Sequence, residues 1–291
     1  MMRYVAKRLL LLIPILIGVA FIIFAIMEMT PGDPVIRILG HDVPAEALEQ
    51  MREELGLNRP FLERFFDYII NVFTKLDFGN SYRTRKPVFN DIRKRVPVSI
   101  KIAILGMFFA TLMGLPMGVY SAVKQYSPMD NILRVCSTIL VAMPTFWLAM
   151  LLILLFALYL GWLPSGGIAS WKSYILPTIT VGFPYGSTIL RMTRSTMLES
   201  IRQDYVRTAK AKGVPNKIVI YKHALKNALL PVITTIGFCF GQILGGSVIA
   251  ESVFSLPGLG SLIVLSIKAK DTPSVLASVL LLAFFFAIIM L

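Results

Sequence analysis

The sequence predicts an all-α membrane protein with about six membrane-spanning helices. Hydrophobic residues make up 56% of the 291 residues and charged residues only 15%, whereas roughly a quarter of a soluble domain is charged. Long uncharged stretches recur along the chain, and Lys and Arg concentrate in alternate connecting segments. These three observations together indicate that lipid is the main solvent of the chain.

Uncharged stretches define the predicted spans. A helix needs roughly 20 apolar residues to cross a hydrocarbon core of about 30 Å, and a charge at its centre is costly. Six stretches approach or exceed this length: Leu9–Met27, Ile102–Val123, Val135–Leu160, Ser173–Leu190, Asn227–Ala250 and Thr272–Leu291. Pro177 and Pro184 interrupt the fourth stretch, a kind of irregularity that neighbouring helices can accommodate.

The charges beside the spans predict the orientation. The first apolar run is longer than that of a cleaved signal peptide and lacks a small-x-small site, so we expect an uncleaved first span. With a cytoplasmic amino terminus, the short inner segments carry fourteen Lys and Arg residues and the short outer loops carry three. This positive-inside bias predicts that both termini face the cytoplasm.

Residues 29–101 differ from the spans in composition. Between Thr30 and Pro97 eleven basic residues balance ten acidic ones, which is typical of a folded module outside the membrane. We therefore divide the chain into residues 1–28 (amino terminus and first span), 29–101 (extracytoplasmic module) and 102–291 (core of five spans). Within the module, residues 60–73 place apolar side chains on one helical face. That face predicts a helix resting on the bilayer or on the protein's own spans, or a docking surface for a soluble partner.

The sequence offers little that resembles a catalytic, redox or cofactor site. It contains no Gly-Lys-Ser or Gly-Lys-Thr tripeptide, which a phosphate-binding loop requires. Cys136 and Cys239 lie in apolar runs, and His41 and His223 lie far apart without a cluster of metal ligands. We expect no cofactor or metal on this chain and no catalytic residue. The net charge of +13 is dispersed over the loops, so we expect no nucleic acid partner.

Polar and small residues within the spans predict packing contacts or a solute pathway. Gly114 and Gly118, Gly182 and Gly186, and Gly237, Gly241 and Gly245 form small-xxx-small patterns that let helix backbones approach closely. Six polar residues could line a pathway for a polar solute or could form hydrogen bonds between helices: Thr178, Thr180, Thr234, Thr235, Gln242 and Ser247.

The predicted inner segment, residues 192–227, is too long and too charged for a tight turn. Two helix-forming stretches flank Gly213-Val214-Pro215. Because glycine ends helices and proline begins them, we expect two short helices on the cytoplasmic face. Such helices would suit engagement of a separate motor, whereas a basic loop held at anionic headgroups is the alternative.

This segment carries a family resemblance. Tyr205-Val-Arg-Thr-Ala-Lys-Ala-Lys-Gly213, continued by His223-Ala-Leu-Lys-Asn-Ala-Leu-Leu-Pro231, closely resembles the coupling motif of permease subunits in ABC importers of the dipeptide, oligopeptide and nickel type. Further matches in family order are Thr30-Pro-Gly-Asp-Pro34, Leu55-Gly-Leu-Asn-Arg-Pro60, Phe78-Gly-Asn-Ser81 followed by Pro87-Val88, and Phe254-Ser-Leu-Pro-Gly-Leu-Gly260. Arg207-Thr208-Ala209 replaces the Glu-Ala-Ala of the general motif, a variant that resembles the peptide subfamily.

The resemblance implies the type I ABC importer permease fold in a bacterial or archaeal cytoplasmic membrane. It implies a second homologous permease subunit, two cytoplasmic ATPase subunits that hold ATP and Mg, and an extracytoplasmic solute-binding protein. The implied ATPase-coupling residues are Arg207, Thr208, Ala209, Ala211, Gly213 and His223.

Peptides are the expected cargo, and nickel, glutathione or oligosaccharide are alternatives carried by similar subunits. A stand-alone secondary carrier is a rival, but such carriers usually have ionisable residues within their spans. In this chain Glu28 and Glu251 lie only at span ends. A membrane-embedded enzyme is disfavoured for the same reason.

Overall fold

The computed structural model describes residues 2–40 and 43–290, and only the backbone of residues 2–6 and 9. These residues form helices joined by loops, and the one β-type pairing among them is the isolated bridge between Asn80 and Pro87. The predicted all-α class is confirmed. His41 and the chain end at Leu291, both named above, lie outside the described residues.

The α-helices are, in chain order, α1 (Met2–Met29), α2 (Pro34–Leu39), α3 (Ala45–Glu54), α4 (Phe61–Lys75), α5 (Val88–Val123), α6 (Pro128–Ala142), α7 (Thr145–Leu152), α8 (Ile175–Ile201), α9 (Asp204–Ala211), α10 (Asn216–Ile218), α11 (Leu225–Val253), α12 (Leu259–Ala269) and α13 (Thr272–Ile289). π-helical turns extend α7 over Ile153–Tyr159 and join α10 to α11 over Val219–Ala224.

Fewer helices than the predicted six meet the requirements for a span by length and composition. Within the described residues four do so: Leu10–Met29, Val88–Val123, Asn216–Val253 and Thr272–Ile289. The helices α6 and α7, taken together, make a fifth. The predicted fourth span corresponds to α8, which has 27 residues but carries polar and charged side chains along its length. Thirteen of its residues are buried by neighbouring helices, which explains why α8 needs less apolar surface than a lipid-facing span.

The predicted third span is bent rather than straight. Its two halves meet at an angle of 107°. Pro144 lacks the N–H that would continue the helix and disfavours helical geometry at the preceding residue, and Met143 accordingly has an extended backbone, with φ −68° and ψ 129°. In the predicted fourth span, by contrast, Pro177 lies in the first turn of α8 and Pro184 lies inside that continuous helix.

The residues group into two compact units. Unit 1 comprises residues 1–99 and 255–289, and unit 2 comprises residues 100–254. In unit 1, α1 packs against α13 and α4. Phe65 and Ile69 of α4 are buried against Phe24 of α1 and Leu276 of α13. The predicted amphipathic helix therefore exists and rests on one of the protein's own spans.

A buried carboxylate organises the start of α13 in unit 1. Asp271 is 1% exposed and accepts hydrogen bonds from the hydroxyls of Ser81 and Ser274, at 2.5 and 2.8 Å, and from the backbone N–H of Tyr82, at 2.9 Å. These bonds tie residues 81–82 to the last helix of the unit. A buried carboxylate without such donors would cost several kcal/mol.

In unit 2, α8 is the central helix and packs against α6, α7 and α11. It also approaches α5 closely, because glycines remove side-chain bulk at the contact. A Cβ atom on Gly114 would lie 2.4 Å from the carbonyl oxygen of Gly186. Packing through small residues is therefore confirmed for α5 and α8, whereas a Cβ on Gly237 or Gly245 would meet no atom within 4 Å.

Candidate coupling segment and translocation pathway

The coupling segment is defined here as residues 202–226, which follow α8 in unit 2 and include α9 and α10. The segment carries seven basic residues and a single acidic one, Asp204. Asp204 begins α9, where the helix dipole favours a negative charge. The remaining surface of the segment is strongly basic.

A glycine-centred turn ends α9 and separates it from α10. Gly213 has φ +74°, a left-handed conformation that glycine adopts without the steric cost of a Cβ atom. Its N–H donates to the carbonyl of Lys210 at 3.0 Å, and the N–H of Val214 donates to that of Ala209 at 3.2 Å. These two bonds form the Schellman motif of helix ends. Pro215 then precedes α10. The first predicted short helix is present as α9, whereas the second is not a separate short helix, because the chain continues as one helix from Asn216 to Val253.

One face of α9 is buried within unit 2. Val206 is 1% exposed and Ala209 is 7% exposed, and both join a core cluster that includes Met197, Val219 and Ala224. The small side chain of Ala209 therefore packs within the core of this chain. A larger residue there would overfill a closely packed core.

The opposite face of α9 and the turn are exposed. The described structure exposes four of the predicted coupling residues: Arg207, Thr208, Ala211 and Gly213. The Arg207 side chain is 78% exposed and lies 3.6 Å from Asp204. His223 is half-buried in the π-helical turn between α10 and α11. The exposed surface thus has small side chains at its centre and basic side chains at its edges.

The six residues predicted to line a pathway are not equivalent in the structure. Thr180 and Ser247 are buried, Thr178 and Thr235 are half-buried, and Thr234 and Gln242 are exposed. Thr234 and Thr235 donate to carbonyls of their own helix at 3.1 and 2.9 Å, which is ordinary behaviour for threonine in a helix.

Three of these residues, Ser247, Thr180 and Thr178, differ from the others in their hydrogen bonds or surroundings. Ser247 donates to the carbonyl of Leu244 and to the carboxylate of Glu251, both at 3.2 Å. The hydroxyl of Thr180 has no hydrogen-bond partner among the described residues, and Thr178 lines a groove of about 480 Å³ beside Lys101 and Trp171. The other five do not line that groove, so the pathway assignment stays a prediction.

Sequence reasoning missed two features of this region. It did not identify the pairing of Asp130 with Arg194, which joins residues 64 positions apart. The spacing of Ser127 and Asp130 is that of a helix-capping pair and could have predicted the start of α6, but it does not indicate the distant partner. It also missed α12, whose start is marked by Pro257-Gly258 before an apolar run. Among the described residues, no three His, Cys, Asp or Glu side chains lie close enough together to hold a metal ion.

Comparison with known proteins decides the family. Residues 114–291 match the model of the binding-protein-dependent transport system inner membrane component, and residues 1–103 match the model of its amino-terminal part. The chain belongs to this permease family. Such permeases are multi-pass subunits of ABC importers, so the predicted resemblance is confirmed.

Individual relatives match the permease along nearly its whole length. The glutathione transport system permease protein GsiC of Escherichia coli (strain K12) is 40% identical over 289 residues, which are 99% of this chain and 94% of the relative. The proteins of the same name from Shigella dysenteriae serotype 1 and Salmonella typhi have the same identity and coverage.

Proposed function

We propose that this permease forms half of the translocation pathway of an ATP-driven importer for di- or oligopeptides. The coupling segment is the observation that carries the proposal. Its helix α9 is held by a buried face, exposes small side chains on the opposite face and ends in a glycine turn. Such a rigid projection suits the transfer of motion from a separate motor into α8 and α11, which flank it in the chain.

Partner subunits would supply the energy and the cargo. Two cytoplasmic ATPase subunits would bind ATP and Mg, and a second homologous permease would complete the pathway. A solute-binding protein would deliver the cargo on the outer side. The positive-inside bias supports a cytoplasmic amino terminus and a cytoplasmic coupling segment.

The coupling residues would fall into two groups. Arg207, Thr208 and Ala211, exposed on α9, would contact an ATPase subunit. Ala209 and Gly213 would shape the segment, the first by close packing and the second by its left-handed backbone. His223 would lie at the base of the segment, where α10 joins α11.

Glutathione is a second candidate cargo. The relatives at 40% identity carry the name of a glutathione transport permease, and glutathione is itself a short peptide. Nickel chelates and oligosaccharides, which similar subunits carry, are weaker alternatives. A stand-alone carrier is the more remote one.

Uptake by the reconstituted transporter tests these alternatives. The permease, its partner permease and both ATPases would be placed in proteoliposomes with the solute-binding protein outside. The external solution would contain a radiolabelled dipeptide, glutathione or a nickel chelate, with or without ATP inside. We expect ATP-dependent accumulation of the dipeptide. Accumulation of glutathione alone would assign the narrower substrate, and uptake by the single chain without ATP would favour the carrier.

A further inference from the structure

An arginine-lined cavity lies between α6 and α8 in unit 2. Its volume is about 590 Å³, and we call it the arginine cavity. Four arginines line it: Arg134, Arg191, Arg194 and Arg202. The lining contains none of the six predicted ATPase-coupling residues, although Arg202 is also the first residue of the coupling segment. Under the predicted orientation, the cavity lies at the cytoplasmic ends of the two helices.

The charges of the arginine cavity are not balanced. Arg194 forms a bidentate pair with the buried carboxylate of Asp130, at 2.8 and 2.9 Å. Arg134, Arg191 and Arg202 have no carboxylate within ion-pair distance in the part of the chain that the structure describes. The lining contains a single acidic residue, Glu199. After Asp130 and Glu199 are counted, two positive charges remain in excess.

A concave surface with excess positive charge concentrates the electrostatic potential and attracts anions. Arginine adds directional chemistry, because its planar guanidinium donates paired hydrogen bonds that match the oxygens of a phosphate group. The lining also offers the hydroxyl of Ser195. The volume exceeds what a bare phosphate ion needs and is ample for a phosphate group with an attached polar ester.

We propose that the arginine cavity binds a phosphate group, with Arg134 and Arg191 as its main ligands. The phosphate could belong to the headgroup of an anionic phospholipid or to a soluble phosphate. The lining also includes the apolar side chain of Leu198, which offers contact to an acyl chain beside the phosphate. Basic pockets at the cytoplasmic ends of membrane helices are suited to lipid headgroups.

Native mass spectrometry of the full-length chain in a neutral detergent tests this proposal. The probes are phosphatidylglycerol, phosphatidylcholine as the lipid without net charge, and inorganic phosphate as competitor. The test variant is Arg134→Gln/Arg191→Gln. The matched control is Arg83→Gln/Arg93→Gln, which removes the same charge from exposed arginines of unit 1. If the double variant does not fold, Arg191→Gln alone replaces it.

We expect the apparent Kd for phosphatidylglycerol to rise about tenfold or more in the test variant and less than about twofold in the control. Phosphatidylcholine binding should not change. Displacement of the lipid by millimolar inorganic phosphate would assign the site to soluble phosphate, and failure to displace it would assign the site to lipid.

Equal weakening in the test and control variants would show nonspecific attraction and overturn the proposal. Unchanged phosphatidylglycerol binding in the test variant would overturn it as well. If that result came with loss of the ATPase subunits from the assembled transporter, the cavity would instead receive an acidic protein surface. None of these results depends on which solute crosses the membrane.

Discussion

The carboxylate of Asp130 accepts two hydrogen bonds from the guanidinium of Arg194, from Nε at 2.8 Å and from Nη2 at 2.9 Å. Asp130 is fully buried and also accepts from the backbone N–H of Tyr126, at 2.9 Å, and from the hydroxyl of Ser121. One side chain thus joins the end of α5, the start of α6 and the second half of α8. The same α8 leads directly into the coupling segment, so this ion pair holds the helix from which that segment extends.

Removal of one partner of this pair should destabilise the permease strongly. Asp130→Ala leaves the charge of Arg194 without its carboxylate partner. Water can compensate that charge only in part, because the Arg194 side chain is 18% exposed. Breaking a buried pair costs roughly 3–5 kcal/mol, and we expect about 3 kcal/mol because Arg194 keeps some contact with water. Thermal unfolding in detergent, followed by tryptophan fluorescence, measures the loss.

The double variant Asp130→Ala/Arg194→Met serves as the control for that experiment. It removes both charges, so it should recover a substantial part of the stability lost by Asp130→Ala. Equal stability of the single and double variants would show that the pairing itself contributes little.

The close approach of α5 and α8 gives a second prediction. Gly114→Ala would place a methyl group 2.4 Å from the carbonyl oxygen of Gly186, so the helices must separate. We expect a loss of about 1–3 kcal/mol, although alanine is the better helix former by about 1 kcal/mol. The melting temperature of the purified chain would report the loss.

Gly237→Ala is the matched control, because its methyl group would meet no atom within 4 Å. Because alanine is a better helix former than glycine, this variant should be as stable as the parent or more stable. If the two alanine variants had the same melting temperature, the backbones of α5 and α8 would not be in close contact at Gly114.

The pH dependence of the outer helices follows from Asp33, which caps α2. Its carboxylate accepts from the N–H of Val35 at 2.8 Å and from the Nε of Arg52 at 3.0 Å. Burial is the largest single influence and raises the pKa of Asp33, but the hydrogen bonds from Arg52 and Val35 and the charge of Arg52 together hold it below its ordinary value.

Because the folded pKa lies below the unfolded one, this stabilisation is complete above the ordinary Asp value of about 4. It is lost as the pH falls from there through the folded pKa. We expect a contribution of less than about 1 kcal/mol, since the pair is partly exposed. Hydrogen-exchange protection factors of α2 and α3 should fall as the pH is lowered below about 4. Asp33→Asn keeps a capping oxygen but should abolish this dependence, and its persistence would assign the effect to another group.

Local features of the fold could be predicted from the sequence. The helix over residues 60–73, observed as Phe61–Lys75, follows from apolar spacing alone. The turn at Gly213 follows from the conformations that glycine and proline allow. Both depend on residues that are near neighbours in the chain.

Features that depend on distant residues could not be predicted in this way. The charged half of α8 is tolerated because Asp130 and neighbouring helices surround it, and hydropathy along the sequence does not record such neighbours. The bend at Pro144 is an intermediate case. A proline inside a predicted span is compatible with either outcome, since the helix breaks at Pro144 and continues through Pro184.

The central claim is that the exposed face of α9 transmits ATPase motion, and Ala211→Trp tests it most directly. Ala211 is exposed, so a large side chain would obstruct a partner without disturbing the core that contains Ala209. Ala169→Trp is the matched control, since Ala169 is also exposed in unit 2 but lies in a predicted outer loop.

The measurement is ATP-driven uptake by the reconstituted transporter, with the amount of copurified ATPase recorded beside it. We predict that Ala211→Trp lowers uptake by at least about tenfold, equivalent to roughly 1.4 kcal/mol of coupling, with normal membrane insertion, while Ala169→Trp transports like the parent. Full uptake and full ATPase retention in Ala211→Trp would contradict the assignment of this surface as the site of coupling.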